Sequence, residues 1–210
     1  ELFRERFNIE VRLQSEVIAI DRNRQTISVK DLRSGSVYDE AYDALVLSPG
    51  ASPIRPDLPG IDLPGIFSLR TIPDSRRIRE WIDHRQAKRA LVVGGGYIGL
   101  EMGTIYAALG SRVTLVEMTQ GLLPGVDRDL VRVLQKRLEG LFEALLLGTT
   151  VKEMKARKNG ITIVLEGPDG ERQTRIFERA LAAVGRSPRT SGLGLENTGV
   201  EMNKRGFIRV

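Results

Sequence analysis

The sequence predicts an α/β fold: a parallel sheet with crossover helices and a β-meander, flanked by segments with an antiparallel meander of their own. Three observations predict it. Arg89-Ala90-Leu91-Val92-Val93 is an apolar run of strand length that enters Gly94-Gly95-Gly96-Tyr97-Ile98-Gly99 and continues with helical spacing. A second such run, Arg112 to Val116, follows one helix later and ends on Glu117. Residues 10–47 instead alternate in short runs, split by turn formers at Asp21-Arg22-Asn23-Arg24 and Arg33-Ser34-Gly35, which suits an antiparallel meander better than helices.

The elements follow in order. Runs over 10–21, 25–31 and 36–41 read as strands, and a fourth, Ala44-Leu45-Val46-Leu47, is continuously apolar, as in a strand buried on both faces. Pro53, Pro56, Pro59 and Pro64 are four of the chain's nine prolines, so 53–65 holds no helix and reads as a connector. Thr71-Ile72-Pro73-Asp74 opens a helix through Ile78, Trp81 and Ile82, with Asp or Ser near its N-cap. The helix after the glycine run carries Leu100, Gly103, Tyr106 and Leu109 and stops at Gly110, which is placed for a left-handed cap. Another helix, over 127–140, sets Leu130, Leu134 and Leu138 one turn apart, with Asp127 or Asp129 near its start. Ala144–Leu147 is a third short strand, and 150–177 returns to strands with turns at Asn159-Gly160 and Gly167-Pro168-Asp169-Gly170. Ala180 to Val184 is one more buried strand, ending at Gly185-Arg186. The predicted segments are 1–67, 68–186 and 187–210.

Composition removes several function classes. A chain of 210 residues, 41% hydrophobic and 28% charged, has material for a sizeable core. Without cysteine there is no disulfide framework, thiolate nucleophile or Cys-type zinc or iron–sulfur site. With His84 as the one histidine there is no His-rich metal centre, and a Ser-His-Asp triad would depend on that residue. No apolar run is long enough to span a membrane, and the opening ELFRERFNIEVRL is charged from its first residue, unlike a secretory leader. A cytoplasmic protein is expected. The net charge of +5 could suit nucleic acid, but 25 of the 32 basic residues are arginines scattered among acids, and 5% aromatics offer no stacking platform. A solvated basic surface is the better reading, with no nucleic-acid or membrane partner.

The glycines carry the chemistry. In a chain with 22 glycines a bare G-x-G-x-x-G says little, but here a strand precedes it and a helix and second strand follow. Gly94 permits the tight turn, Gly96 lets a pyrophosphate approach its backbone, and Gly99 lets helix and strand pack closely, as in a Rossmann-like domain. The helix that starts there points free N–H groups and a positive dipole end at the phosphates. Glu117, 18 residues past Gly99, stands where an acid accepts hydrogen bonds from an adenosine ribose and repels a 2′-phosphate, which favours NAD(H) over NADP(H). The pattern by itself also admits FAD or a methyl donor.

These residues, with three further blocks, resemble the two-dinucleotide-binding-domain flavoproteins, or pyridine nucleotide–disulfide oxidoreductases. The blocks are Tyr42-Asp43-Ala44-Leu45-Val46-Leu47-Ser48-Pro49-Gly50-Ala51, Val93 to Glu101, Val113 to Glu117, and Ala183-Val184-Gly185-Arg186-Ser187-Pro188, in family order across nearly the whole chain. Up to about residue 102 the sequence is similar to the NADH oxidase and coenzyme A-disulfide reductase group; beyond it the likeness is to lipoamide dehydrogenase. The resemblance implies an FAD/NAD-dependent oxidoreductase that passes hydride from NADH to FAD and on to a disulfide or other acceptor. It implies that 68–186 is a Rossmann-like NAD(H)-binding domain, flanked by partial FAD-domain segments at 1–67 and 187–210.

By position, Gly94, Gly96 and Gly99 would hold the NAD pyrophosphate and Glu117 the ribose. Tyr97 would lie over the flavin, Ile98 would line the nicotinamide pocket, and Glu101 would sit near the carboxamide. Val184, Gly185 and Arg186 would meet the nicotinamide end, and Ser48 and Gly50 would be near FAD. Tyr97 and Ile98 also suit plain packing at a helix start, and Glu101 and Arg186 suit surface charges. The family's first FAD fingerprint, redox cysteines, second FAD motif and dimerisation domain do not occur in the sequence. The expectation is an internal segment of a homodimeric flavoprotein, with no catalytic residue of its own, inactive in isolation. A standalone dinucleotide-binding or regulatory module is the alternative.

Overall fold

The computed structural model describes residues 2–85 and 87–209; the side chains of His84, Arg85 and Asn197 lie outside the described set. The chain forms two compact units, Ser52–Arg186 and, apart from it, Glu1–Ala51 with Ser187–Val210. It passes between them at two short strands, β4 (Ala51–Pro53) and β13 (Arg186–Pro188).

The larger unit is built on a five-stranded sheet in the order β5-β12-β6-β7-β8, comprising Ile66–Phe67, Arg179–Ala182, Arg89–Val93, Arg112–Val116 and Ala144–Leu146. All its pairings are parallel, and successive residues alternate between two covered faces. Val92, Val113, Leu115 and Leu181 meet α2 (Ile72–Arg85), α3 (Tyr97–Ala108) and α4 (Arg128–Leu141) in one core. Leu91, Val116, Ala180 and Ala182 meet Met154, Ile161, Ile163, Leu165 and Phe177 in the other. Those residues belong to the antiparallel meander β9 (Thr150–Arg157), β10 (Gly160–Glu166) and β11 (Arg172–Phe177), whose order is β11-β10-β9. Each fully buried leucine or isoleucine here contributes about 2 kcal/mol of transfer free energy, so the two cores hold the sheet rigidly between helices and meander.

Local chemistry explains the element ends. At the start of α2, Asp74 Oδ2 accepts the Thr71 N–H at 2.9 Å while the Thr71 hydroxyl faces the Asp74 N–H at 3.4 Å, a capping box. Gly110, with φ of +92°, follows α3, and its N–H donates to the Ala107 carbonyl.

Three expectations need restating. The stripe that α4 buries is Val131 and Leu138 with Leu134 partly buried, whereas Leu130 is 63% exposed. At 100° per residue Val131 lies on the inner face and Leu130 does not. Pro53 closes β4 and residues 54–65 form turns without a helix; they fall in the larger unit, whose second core Ile61 enters. Ala44–Leu47 is no strand, and Val46 is 85% exposed. A strand buried on both faces needs ladder partners and a layer on each side; among the described residues this run has neither.

The smaller unit holds α1 (Leu2–Phe7), a short helix the sequence patterning did not announce, and the expected antiparallel meander β1 (Ser15–Asp21), β2 (Thr26–Asp31) and β3 (Val37–Ala41). Arg22 ties the meander to the later residues by donating to the Thr198 carbonyl at 2.7 Å. No helix among the described residues is long and apolar enough to cross a membrane.

Candidate functional site

The parallel sheet has one place where chain order reverses. From β6 the chain steps to β7 and β8 on one side, then returns as β12 on the other. Loops leaving the carboxyl ends of β6 and β12 therefore diverge, and such a divergence opens the crevice in which α/β sheets take ligands. Gly94 to Gly99 leave β6 at this point, Glu117 directly follows β7, and Val184 and Gly185 follow β12.

Gly94 makes the turn off β6 with φ of +113°, and its N–H donates to the Val116 carbonyl at 2.8 Å. A Cβ there would stand 2.4 Å from the Ala183 carbonyl oxygen, so only glycine lets the β6 and β12 loops approach this closely. At Gly99 a Cβ would sit 1.9 Å from the Gly94 oxygen, which explains the third glycine as the helix-to-strand contact. Gly96 differs from both: its φ of −83° suits any residue, and a Cβ would meet nothing within 4 Å. The backbone at Gly96 faces open space.

That space lies at the start of α3, whose electrostatics set it apart from the other long helices. Asp74 stands in the first turn of α2 and Asp129 in that of α4, whereas α3 has no acid there, and Gly96 as its N-cap offers no side-chain cap. Among the described residues no protein acceptor takes the N–H of Gly96, Tyr97 or Ile98. Uncapped amides and the positive end of a helix dipole together make an anion site.

Glu117 points into this turn. It is buried, and its Oε2 accepts the Gly95 N–H at 2.6 Å. Its Oε1 accepts both the N–H and the hydroxyl of Thr119 at 2.8 Å. Three donors leave part of the carboxylate's acceptor capacity free, since two oxygens offer about four lone-pair sites. Glu117 braces the glycine turn. The Gly95 carbonyl is held from the same side by the Leu123 N–H at 3.0 Å.

Of the other expected site residues, Tyr97 is 68% exposed, Ile98 is half-buried, and Glu101 lies exposed on α3. Val184, Gly185 and Arg186 are exposed after β12; Gly185 has φ of +126° and accepts the Ile54 N–H. Gly94, Gly96, Tyr97, Ile98, Gly99, Glu117, Val184 and Gly185 thus gather at the carboxyl end of one sheet. Ser48 and Gly50 belong to the smaller unit, both exposed, with Gly50 at φ of +74°. Sequence reasoning missed Gly95, Thr119, Leu123 and Arg128. The third, non-motif glycine in the run was the available signal for Gly95, because a Cβ there would stand 2.7 Å from Leu122 Cδ2. A separate cleft of about 550 Å³, lined by Trp81, Arg157, Lys158, Glu178 and Arg179, lies at the opposite end of the sheet, away from the glycine turn.

Comparison with known proteins places this geometry. The family model described as pyridine nucleotide-disulphide oxidoreductase matches residues 1–210. The dihydrolipoyl dehydrogenase of Vibrio cholerae is 36% identical over 170 residues, covering 80% of this chain and 34% of that enzyme. Among solved structures, reduced CoADR-RHD of Bacillus anthracis superposes with a TM-score of 0.83 at 32% identity, over 99% of this chain and 36% of the other. The water-forming NADH oxidase of Lactobacillus brevis, solved bound to NADH, gives 0.73 at 30% identity, over 91% and 41%. The chain spans less than half the length of these relatives. The family model covers the chain from end to end, and the chain belongs to the pyridine nucleotide-disulphide oxidoreductase family.

Proposed function

We propose that the larger unit is the NAD(H)-binding domain of a flavoprotein oxidoreductase that takes hydride from NADH and passes electrons through FAD to a disulfide or another acceptor. The observation that carries this reading is the start of α3: uncapped, free of acids in its first turn, and open above Gly96. A diphosphate fits that cradle in charge. When bound, the nicotinamide and flavin supply the hydride chemistry.

The chain's own residues bind and orient. The amides at Gly96, Tyr97 and Ile98 donate to the diphosphate, which Gly94 and Gly99 allow by bringing strand, turn and helix together. Glu117, with acceptor capacity left after bracing Gly95, takes a hydroxyl of the adenosine ribose. Tyr97 lies over the flavin face, Ile98 lines the nicotinamide pocket, Glu101 sits near the carboxamide, and Val184, Gly185 and Arg186 meet the nicotinamide end. Ser48 and Gly50 serve the flavin side. Residues 68–186 carry the dinucleotide, with 52–67 as its structural lead-in, while 1–51 and 187–210 are parts of a flavin domain. The whole protein pairs as a homodimer, and the 210 residues alone bind NADH without turning it over.

The test is calorimetric titration of the chain with NADH and NADPH. The Glu117 carboxylate repels a 2′-phosphate, so NADH is expected to bind at least about tenfold more tightly. Equal affinities, or no binding of either, would overturn the reading.

A further inference from the structure

We infer that Arg128 is a positioning residue for the dinucleotide site: its guanidinium fixes the turn at 122–126, and that turn fixes the peptide from which the phosphate-facing amides hang. The inference rests on the reading of the glycine turn given above, and it assigns a role to a side chain outside the glycine motif.

Arg128 opens α4, where a cation is electrostatically disfavoured by the positive end of the helix. Its side chain turns back along the chain. Nε donates to the Val126 carbonyl at 2.9 Å, Nη1 to Leu122 at 2.9 Å, and Nη2 to both Leu123 and Val126 at 2.6 Å. Among the described residues no carboxylate lies within ion-pair distance of it, so three backbone carbonyls are its partners. A planar fork with five donors can span three carbonyls at once.

The turn it grips has one backbone hydrogen bond of its own, from the Val126 N–H to the Leu123 carbonyl at 3.1 Å, and it carries strain. Leu123 sits at φ of +48°, a left-handed conformation that costs a branched side chain. Held there, its N–H donates to the Gly95 carbonyl while Leu122, fully buried, packs against Gly95. Glu117 takes the Gly95 N–H from the start of the same loop. Both polar groups of Gly95 are thus fixed by residues 117–126, and Gly96, Tyr97 and Ile98 follow it directly. Removing the guanidinium leaves the turn with the Val126–Leu123 bond and the packing of Leu122 alone, which loosens Gly95 and the direction of those amides.

The experiment compares the chain with Arg128→Met and Arg128→Lys, using calorimetric titration with NADH and ADP-ribose and amide exchange by NMR without ligand. For Arg128→Met, affinity for both ligands is expected to fall about tenfold, as the loss of charge-assisted hydrogen bonds in a shaped site implies. The Gly95 amide should exchange faster, while amides of the β9–β10 hairpin stay unchanged. Arg128→Lys should restore only part of the affinity, because an ammonium cannot reach three carbonyls in a fork; should the Met variant not fold, the Lys variant carries the same two readouts. Affinity within about twofold of the parent chain, with exchange at Gly95 unaltered, would overturn the inference. If the parent chain binds no NADH, the proposed function fails, and exchange at Gly95 still decides whether Arg128 holds the turn.

Discussion

Leu91, Val92, Val113 and Leu115, on the two central strands of the larger unit, have no exposure to solvent, and helices close one face while the β9–β11 meander closes the other. The smaller unit is also patterned for burial, but its apolar side chains are uncovered. Leu13 is 75% exposed and Val46 85%, and Val29 and Leu195 are the buried hydrophobics among its described residues. Three strands with one apolar face are about the minimum for independent stability, provided that face is covered. The larger unit is a finished folding problem, and the smaller one presents a surface that the described residues do not cover. The relatives that the chain matches are more than twice as long as it is.

Cutting the chain tests this contrast most severely. Residues 52–186 expressed alone are expected to give one cooperative thermal transition by circular dichroism and little binding of an apolar dye. Residues 1–51 alone should give no cooperative transition, and the 210-residue chain should bind the dye through its smaller unit. A sharp melt of 1–51 would break the comparison.

Within the larger unit the same contrast reappears between two glycines three residues apart. Gly99→Ala forces a Cβ to 1.9 Å from the Gly94 oxygen, so strand and helix must separate, at a cost of about 3 kcal/mol or more. Gly96→Val meets open space at a φ that valine adopts, and stability should stay within about 0.5 kcal/mol. Its isopropyl group nevertheless fills the cradle, so calorimetry should register loss of NADH binding from a folded protein. Parent-like binding by Gly96→Val would place the diphosphate elsewhere.

How far the sequence could be read follows from how local the determinants are. The β6–glycine turn–α3–β7 unit was legible because its strands are short apolar runs and two motif glycines, Gly94 and Gly99, have a steric reason, a backbone oxygen within 3 Å of where a Cβ would stand. Leu130 was misread for want of one residue of phase, since two adjacent apolar residues, Leu130 and Val131, leave the buried face of α4 ambiguous until the sheet lies beneath it. Ala44–Leu47 was misread because an apolar run encodes the wish for neighbours and cannot say whether they are within reach. Thr119 and Arg128 carried no signal: a threonine two places past an acid is common, and no periodicity announces a side chain that doubles back onto carbonyls.

The finest distinction between the units lies in two carboxylates that do similar work. Asp74 caps α2 in the larger unit; the Thr71 N–H first, then its hydroxyl, Arg77 and the Arg70 N–H, draw its pKa down to about 2. An aspartate in an unfolded chain titrates higher, at about 3.9. Because the folded value is the lower one, the cap's contribution is fully present above the unfolded value and is lost as pH falls from about 4 toward 2. Asp74→Ala should therefore lower stability by about 1 kcal/mol at neutral pH and by progressively less as the solution is acidified toward pH 2, read from denaturant melts across that range. Asp31 in the smaller unit is also drawn down, by the N–H groups of Ser34 and then Arg33, but it ends β2 and faces the exposed turn that leads to β3. If the larger unit folds by itself, Asp31→Ala leaves its transition where it was at every pH, and only the local turn responds, as amide shifts at Arg33 and Ser34 would register. An equal displacement of the main transition by Asp31→Ala and Asp74→Ala would mean that the uncovered meander and the closed sheet unfold together, and the contrast between them would be one of surface alone.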